Sequence, residues 1–329
     1  MTLRRRDALA LMPALVPAVF AAGPAPSRAQ VPTNRSALRL VVGFPAGGSA
    51  DVLARVLADK LKDELGVPVV VDNRVGAGGQ IAAEYVKGQP GDGLTVLLGT
   101  MHMMVMVPLT FKGIRYQPSK DFKPVARLSS FYEAVTVPIS SPANTLAQWL
   151  ALARKDPKHA SYGVPAPGSL PQFIGYQLAQ LTQTPLLSVP YKGAAPLAQD
   201  LLGGQLAAGV LPIADMAQYH GTRVKILAVN GPRRSDQLPN VPTLKELGYP
   251  QFDNLEWTGL FAPTGTSAAT VQQLQAATTK VVALKEVREA LQKMGTEPDV
   301  AGGDALDQRI AGDLALWGPV VKSSGFSTE

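Results

Sequence analysis

The stretch LRLVVGFPAGGSADVLARVLADKL, residues 38–61, decides the fold of this chain. Apolar residues run up to Val42, a glycine-rich turn follows, and from Ser49 onward apolar residues recur at the period of a helix. A strand, a glycine turn and a helix start bring free backbone N–H groups and the positive end of a helix dipole to one place. The stretch therefore predicts an α/β fold with an anion site in the turn, although a tight turn without a ligand is equally compatible with these residues alone.

Two later loops strengthen the case for a ligand. The sequence GAGG, residues 76–79, again lies between an apolar run and a helical pattern, and Gly99-Thr100-Met101-His102 follows the next apolar run. This alternation predicts a parallel sheet covered by helices on both faces, and in such a sheet the loops emerge at one edge, where ligands bind. We expect the three loops to surround one small anion with backbone amides.

The second half of the chain repeats the alternation, which predicts two α/β halves with a ligand in the cleft between them. After the run EWTGLFAP, residues 256–263, the pattern predicts only two closing helices. The helices predicted from residue 145 to the end are 145–154, 170–181, 195–202, 267–284 and 304–322.

Residues that carry catalysis or bind metals are sparse. The chain has no cysteine, and its 3 histidines are not at metal-ligand spacing. There is no nucleophile elbow and no P-loop. We therefore predict no catalytic residues, no metal and no cofactor. His159 and His220 are expected at the surface, whereas His102 in the third loop suits either a pocket or a structural role.

Charge gives little sign of a nucleic-acid partner. The formal net charge is +6, but the basic residues are scattered and not interleaved with aromatic residues. We therefore expect no nucleic acid to bind.

The first 29 residues have the pattern of a secretory signal peptide. A basic start at Arg4, Arg5 and Arg6 precedes an apolar segment, and small residues surround a cleavage site after Ala29. Both the Sec and the twin-arginine routes suit this start. We predict export to the periplasm and a mature chain that begins at Gln30.

Several longer segments are specific when they are taken together. They are FPAGGSAD at 44–51, VVVDNRVGAGGQIAAE at 69–84, DGLTVLLGT at 92–100, DFKPVARL at 121–128, VPYKGAAPLAQDLLGGQ at 189–205, LAVNGPRRSDQLPNVPTLKELG at 227–248 and GLFAPTGT at 259–266. With these segments the chain resembles the periplasmic solute-binding proteins of tripartite tricarboxylate transporters, the Bug family, over residues 36–326.

The resemblance implies a two-lobed periplasmic-binding-protein fold, a Venus flytrap of type II-like form, with two interlobe crossovers. One lobe would comprise residues 36–131 plus 257–329, and the closing lobe residues 132–256. The glycine loops would hold a small carboxylate through backbone groups and water. The ligand-binding residues predicted on this basis are Phe44, Ala46, Gly47, Gly48, Ser49, Gly78, Gly79, Thr100, Met101, Ser169, Tyr191 and Leu211.

The partners implied are a small carboxylate and the membrane subunits of a transporter, and we expect a monomer. Two alternatives remain open: a receptor that presents its ligand to a membrane sensor kinase, and a secreted α/β enzyme, for which no base and nucleophile pair is evident.

The closing lobe departs from the family pattern. Leu211 and Pro212 stand where relatives carry Asp-Asn, and GVPAPGS, residues 163–169, is less polar than usual. Asp215 is the nearest acid to Leu211 in that stretch. We therefore expect a ligand with a carboxylate, a partly apolar body and no ammonium group, because an unpaired buried charge is costly.

Overall fold

The computed structural model describes residues 36–328. The predicted signal peptide, residues 1–29, lies outside the described residues. Among residues 36–328, no helix is both long and apolar enough to cross a lipid bilayer.

The strands and helices alternate along most of the described chain. The strands are β1 (Leu38–Val42), β2 (Val69–Asn73), β3 (Thr95–Thr100), β4 (Phe122–Phe131), β5 (Glu133–Pro138), β6 (Ser161–Val164), β7 (Leu187–Pro190), β8 (Ala208–Pro212), β9 (Val224–Val229), β10 (Glu256–Pro263) and β11 (Glu297–Gly302). The α-helices are α1 (Ser49–Leu65), α2 (Gln80–Lys87), α3 (Val107–Thr110), α4 (Pro118–Asp121), α5 (Leu146–Lys155), α6 (Leu170–Thr182), α7 (Ala194–Leu202), α8 (Ile213–Met216), α9 (Ala268–Ala283), α10 (Lys285–Lys293) and α11 (Gly303–Ser324).

The first three strands lie in a six-stranded sheet of order β11-β4-β10-β3-β1-β2. β1 pairs in parallel with β2 and β3, as predicted. The expectation of a parallel sheet fails for the other half of this sheet, because β10 returns late in the chain and pairs antiparallel with both β3 and β4. The sheet is therefore mixed, and only its parallel half places loops at one carboxyl edge.

The second sheet has five strands in the order β7-β6-β8-β5-β9. β6 is parallel to β7 and β8, whereas β5 is antiparallel to β8 and β9. This repeats the mixed arrangement of the first sheet. The loops after β6 and β7 thus leave the carboxyl ends of neighbouring parallel strands, as the loops after β1 and β2 do.

The chain passes between the two sheets at two places. β4 and β5 are separated by Tyr132 alone, so one extended run feeds both sheets. The return passage lies between β9 and β10. Asn230 follows β9 and ties the passages together, because its Oδ1 accepts from the Glu133 N–H at 2.7 Å and its Nδ2 donates to the Asn254 carbonyl at 2.7 Å.

The closing segment contains two elements that the sequence pattern did not predict. Between α9 and α11 lie α10, which buries Val287 and Leu291, and β11, an edge strand that pairs antiparallel with β4. The short amphipathic KEVREALQK and the partly buried EPDVAG lack the long apolar runs that mark the other elements. The prediction of only two closing helices was therefore wrong.

Three buried clusters hold the elements together. One joins methionines 101, 103, 104 and 106 to residues of α6 and α11, and so packs helices of both sheets against each other. A second lies between the six-stranded sheet and α1 and α9, and a third between the five-stranded sheet and α7 and α8.

Candidate functional site

The first loop, residues 44–49, is held by a buried carboxylate at the start of α1. Asp51 is only 2% exposed, and its Oδ2 accepts from the Gly47 N–H and from Arg55 Nε, each at 2.8 Å. Asn73, the last residue of β2, donates from Nδ2 to Asp51 Oδ1 at 2.9 Å and to the Phe44 carbonyl at 3.1 Å. Because these bonds fix both ends of the turn, the loop is a preorganised backbone surface.

The hydrogen bonds keep Asp51 ionised. The bond from Arg55 is the largest cause, and with those from Gly47 and Asn73 it lowers the pKa of Asp51 to about 2 against the opposing effect of burial. The negative charge of this carboxylate is therefore paired with Arg55, and the carboxylate stabilises the loop rather than facing a ligand.

Gly47 is the exposed tip of the first loop. Its φ is +82°, and a Cβ built on it would meet no atom within 4 Å. The residues around it, Ala46, Gly48 and Ser49, are exposed, and Phe44 is partly buried. The loop thus has free space in front of backbone groups that its glycines leave uncovered.

The second loop, residues 76–79, packs directly on the first strand-loop junction. A Cβ on Gly43 would lie 2.8 Å from the Gly79 Cα, so the two loops approach as closely as glycine allows. Gly78 and Gly79 have φ of +63° and +93°, conformations that favour glycine. Gly79 is buried, whereas Gly78 is exposed beside His102.

The third loop runs from Thr100 into one turn of π-helix at His102–Met106. Thr100 Oγ1 accepts from the Met103 N–H at 3.3 Å, so its hydroxyl caps the turn. Met101 is fully buried in the first cluster and offers no surface to a ligand here. The structure therefore brings the three predicted loops together, with Gly78 and His102 at their junction.

The predicted residues of the second sheet are occupied by local contacts. Ser169 is buried, and its Oγ donates to the Ala166 carbonyl at 2.7 Å. The Tyr191 hydroxyl donates to Asp200 Oδ2 at 2.6 Å, and burial and this carboxylate raise its pKa to about 12. Leu211 is fully buried in the third cluster and presents no surface to a ligand in this structure.

The loop before α6 nonetheless reaches the other half of the site. A Cβ on Gly168 would lie 2.9 Å from Thr110 Oγ1, on the helix α3 that follows the third loop. Phe326 is also close, 3.1 Å from the same position, and its ring meets Phe173 of α6 edge-on. Ser169 is therefore held near α3 by the packing of its neighbour.

Two buried carboxyl groups lie where the chain passes between the sheets. Glu133 and Glu256, the first residues of β5 and β10, are 2% and 7% exposed. Neither carboxyl oxygen of Glu133 has a hydrogen-bond partner among the described residues. Burial raises the pKa of Glu256 to about 7, and burial together with the charge of Glu256 raises the pKa of Glu133 well above its usual range.

Other predicted features lie apart from this site. His159 is partly buried, and so is His220, whose Nδ1 accepts from the Ile226 N–H at 3.0 Å; the expectation of a free surface position was wrong for His220. Among residues 36–328 no group of three or more His, Cys, Asp or Glu side chains is arranged to hold a metal ion. A cavity of about 400 Å³ lies between residues 235–237 and α10, and none of the predicted ligand-binding residues lines it.

Sequence reasoning missed Asp51, Arg55 and Asn73 as residues that position the site. The signal was present, since Asp51 and Asn73 lie inside the segments FPAGGSAD and VVVDN. The sequence pattern does not show that Asn73, the last residue of β2, contacts Asp51 on α1. That contact depends on the parallel pairing of β1 and β2.

Comparison with known proteins gives consistent matches over nearly the whole described chain. A sequence profile described as "Tripartite tricarboxylate transporter family receptor" matches residues 53–326. Protein BugT of Bordetella pertussis is 32% identical over 290 residues, which is 88% of this chain and 89% of BugT.

Two similar solved structures are described with organic acids. "R. palustris Rpa4515 with adipate" has a TM-score of 0.80 and 29% identity and covers 89% of this chain and 99% of its own. "MatC (Rpa3494) from Rhodopseudomonas palustris with bound malate" has a TM-score of 0.76 and 28% identity and covers 87% of this chain and 98% of its own.

Proposed function

Because the chain belongs to the tripartite tricarboxylate transporter family of receptors, we propose that it captures a small carboxylate in the periplasm and delivers it to a membrane transporter. The prediction of the family and of its two-lobed α/β fold is confirmed. Two similar solved structures are described with adipate and with bound malate, which are both dicarboxylates. A small dicarboxylate is therefore the first class of ligand to test.

The observation that supports the proposal most is the first loop, which Asp51 and Asn73 hold in place through hydrogen bonds. Backbone N–H groups bind anions well only when they are already aimed, since aiming them on binding costs conformational entropy. Asp51 fixes the loop from behind through Gly47, while the space in front of Gly47 is open. Such a loop binds a carboxylate without a basic side chain.

The ligand would lie between two lobes, residues 36–131 plus 257–329 and residues 132–256. The placement of β4 and β5 in different sheets supports the first boundary, and that of β9 and β10 supports the second. Phe44, Ala46, Gly47, Gly48, Ser49, Gly78, Gly79 and Thr100 form the proposed carboxylate-holding face. Ser169 and Tyr191 would approach it from the closing lobe. The protein would act as a monomer, because one chain supplies both lobes.

Native mass spectrometry of the protein isolated from the periplasm without refolding tests this function. We expect a bound compound that is released on denaturation and that contains at least one carboxyl group. Recovery of a tightly bound compound without a carboxyl group would contradict the proposal, and so would chemical conversion of an added carboxylate during incubation.

A further inference from the structure

His102 is a titratable side chain among loops that otherwise contain none. Residues 44–49, 76–79 and 99–101 carry no ionisable side chain, so His102 is the group whose proton could act there. Its Nε2 lies 3.0 Å from the position that a Cβ on Gly78 would occupy, which sets the ring against the exposed residue of the second loop. His102 also opens a π-helical turn, a feature that is frequent at functional sites.

The two ring nitrogens of His102 have different surroundings. Nδ1 is buried and has no hydrogen-bond partner among the described residues. Nε2 makes no hydrogen bond to the described residues either, but unlike Nδ1 it is not fully buried. A proton on Nδ1 would have no acceptor, whereas a proton on Nε2 can be donated outward, so the structure favours the Nε2–H tautomer.

The ring is neutral at physiological pH. Burial lowers the pKa of His102 to about 4, and no charged neighbour contributes to that shift. The elements against the turn explain why. β3 and the second loop carry no charge, the Tyr116 hydroxyl donates to the Met103 carbonyl, and on α11 Asp313 is paired with Arg309.

We propose that the Nε2–H of His102 donates a hydrogen bond to a carboxylate oxygen of the ligand at Gly78, which makes His102 a residue that selects for the carboxylate group. The inference rests on the proposed function. A neutral donor facing an ionised acceptor forms a charge-assisted bond, which is stronger than a bond to a neutral amide. A histidine that only filled space beside Gly78 would not distinguish the two acceptors.

Calorimetry with matched ligands and variants tests this role. The probes are adipate and malate with their diamides, titrated at pH 7.5 into the native protein and into His102→Leu, His102→Gln and the control His159→Gln. We expect His102→Leu to weaken binding of the tighter acid roughly 10- to 100-fold, the size expected for a hydrogen bond to a charged group. Its diamide should lose much less, and His102→Gln, which keeps a donor, should recover much of the affinity for the acid.

The outcomes separate the two proposals. A folded His102→Leu protein that binds the acid as tightly as the native protein would overturn the role of His102 alone. An equal loss for the acid and its diamide would also overturn that role, since it indicates packing. A native protein that binds neither acid while another class of compound is found in the site would overturn the proposed function itself.

Nitrogen-15 NMR of the histidine rings provides a readout that needs no variant. We expect His102 in the native protein at pH 7.5 to be the Nε2–H tautomer and its Nε2 proton to shift downfield when the acid binds. The Nδ1–H tautomer, or an Nε2 resonance that does not move on saturation with the bound acid, would contradict the proposal.

Discussion

The tip of the first loop shows why glycine is needed at a single residue. Gly47 has a φ of +82° and open space where a Cβ would be, so an alanine there costs backbone strain but meets no protein atom. On the proposed function, a methyl group in that space would obstruct the approach of the carboxylate to the backbone. Gly113 is a matched control, since its φ is +76° and a Cβ there also meets nothing within 4 Å.

We expect Gly47→Ala and Gly113→Ala to destabilise the protein by similar amounts, about 1–2 kcal/mol. Only Gly47→Ala should weaken carboxylate binding, by about tenfold or more. Thermal unfolding and calorimetry of both variants check this. If the two variants bind a carboxylate equally well, the loop at Gly47 is a structural turn only.

Asp51 is the residue that holds this loop, and its replacement should act on stability and binding together. Asp51→Asn leaves one carboxamide oxygen for donors that now use both carboxylate oxygens, so we expect a loss of about 1–3 kcal/mol in the free energy of unfolding. Binding should weaken because the loop is no longer fixed in one conformation by the bond from the Gly47 N–H to Asp51.

The pH dependence of Asp51 has a definite sign. Its folded pKa lies below the value of 3.8 for an unperturbed carboxyl, so its contribution is present above about pH 4 and is lost as the pH falls towards about 2. Denaturant titrations from pH 5 to 2.5 should show a shallower loss of stability in Asp51→Asn than in the native protein. Parallel curves for the two proteins would show that Asp51 does not carry this effect.

At the scale of elements, the passages between the sheets contain the carboxyl pair of Glu133 and Glu256. The folded pKa of Glu256, about 7, lies above its ordinary value of 4.5, so the folded state binds a proton more tightly than the unfolded chain. The free energy of unfolding should therefore fall as the pH rises from about 4.5 through 7, and the raised pKa of Glu133 extends this decline to higher pH.

Glu256→Gln removes the ionisable group while it keeps the shape of the protonated carboxyl. We expect this variant to lose the part of that decline that belongs to Glu256 and to exceed the native protein in stability at pH 8 by about 1–3 kcal/mol. Glu289→Gln on α10 is the control, because its side chain is 53% exposed and should leave the pH profile unchanged. A Glu256→Gln protein that is less stable than the native protein at pH 8 would contradict the burial of an ionisable pair.

The elements also show what the sequence could and could not predict. Helices α5, α6 and α7 lie within one residue of their predicted bounds, because apolar spacing and caps such as Thr145, which accepts from the Gln148 N–H, are local signals. β11 was missed because its partner β4 is distant in sequence, and α10 because only two residues of its short run, Val287 and Leu291, are buried. The loops of the site were predicted because their glycines are a local signal in the sequence. The hydrogen bond between Asn73 and Asp51 could not be predicted, because it depends on strand pairing.

At the scale of the whole molecule, the charges near the predicted distal position bear on the class of ligand. The predicted distal position holds Leu211, which is buried, and Asp215 is partly buried with its pKa raised by that burial. We therefore expect succinate to bind more tightly than aspartate, which differs from it by an ammonium group. Tighter binding of aspartate in calorimetry would indicate a partner for that group, and Asp215→Asn would then identify it.

On the proposed function, a bound carboxylate stabilises the whole molecule, because it binds the folded state and not the unfolded chain. The most direct measurement is thermal unfolding of the native protein against a panel of small carboxylic acids that includes adipate, malate and succinate. We expect at least one acid, at 100 times its Kd, to add about 2.7 kcal/mol to the free energy of unfolding and to be recovered unchanged. A panel in which no acid raises the melting temperature would contradict the claim.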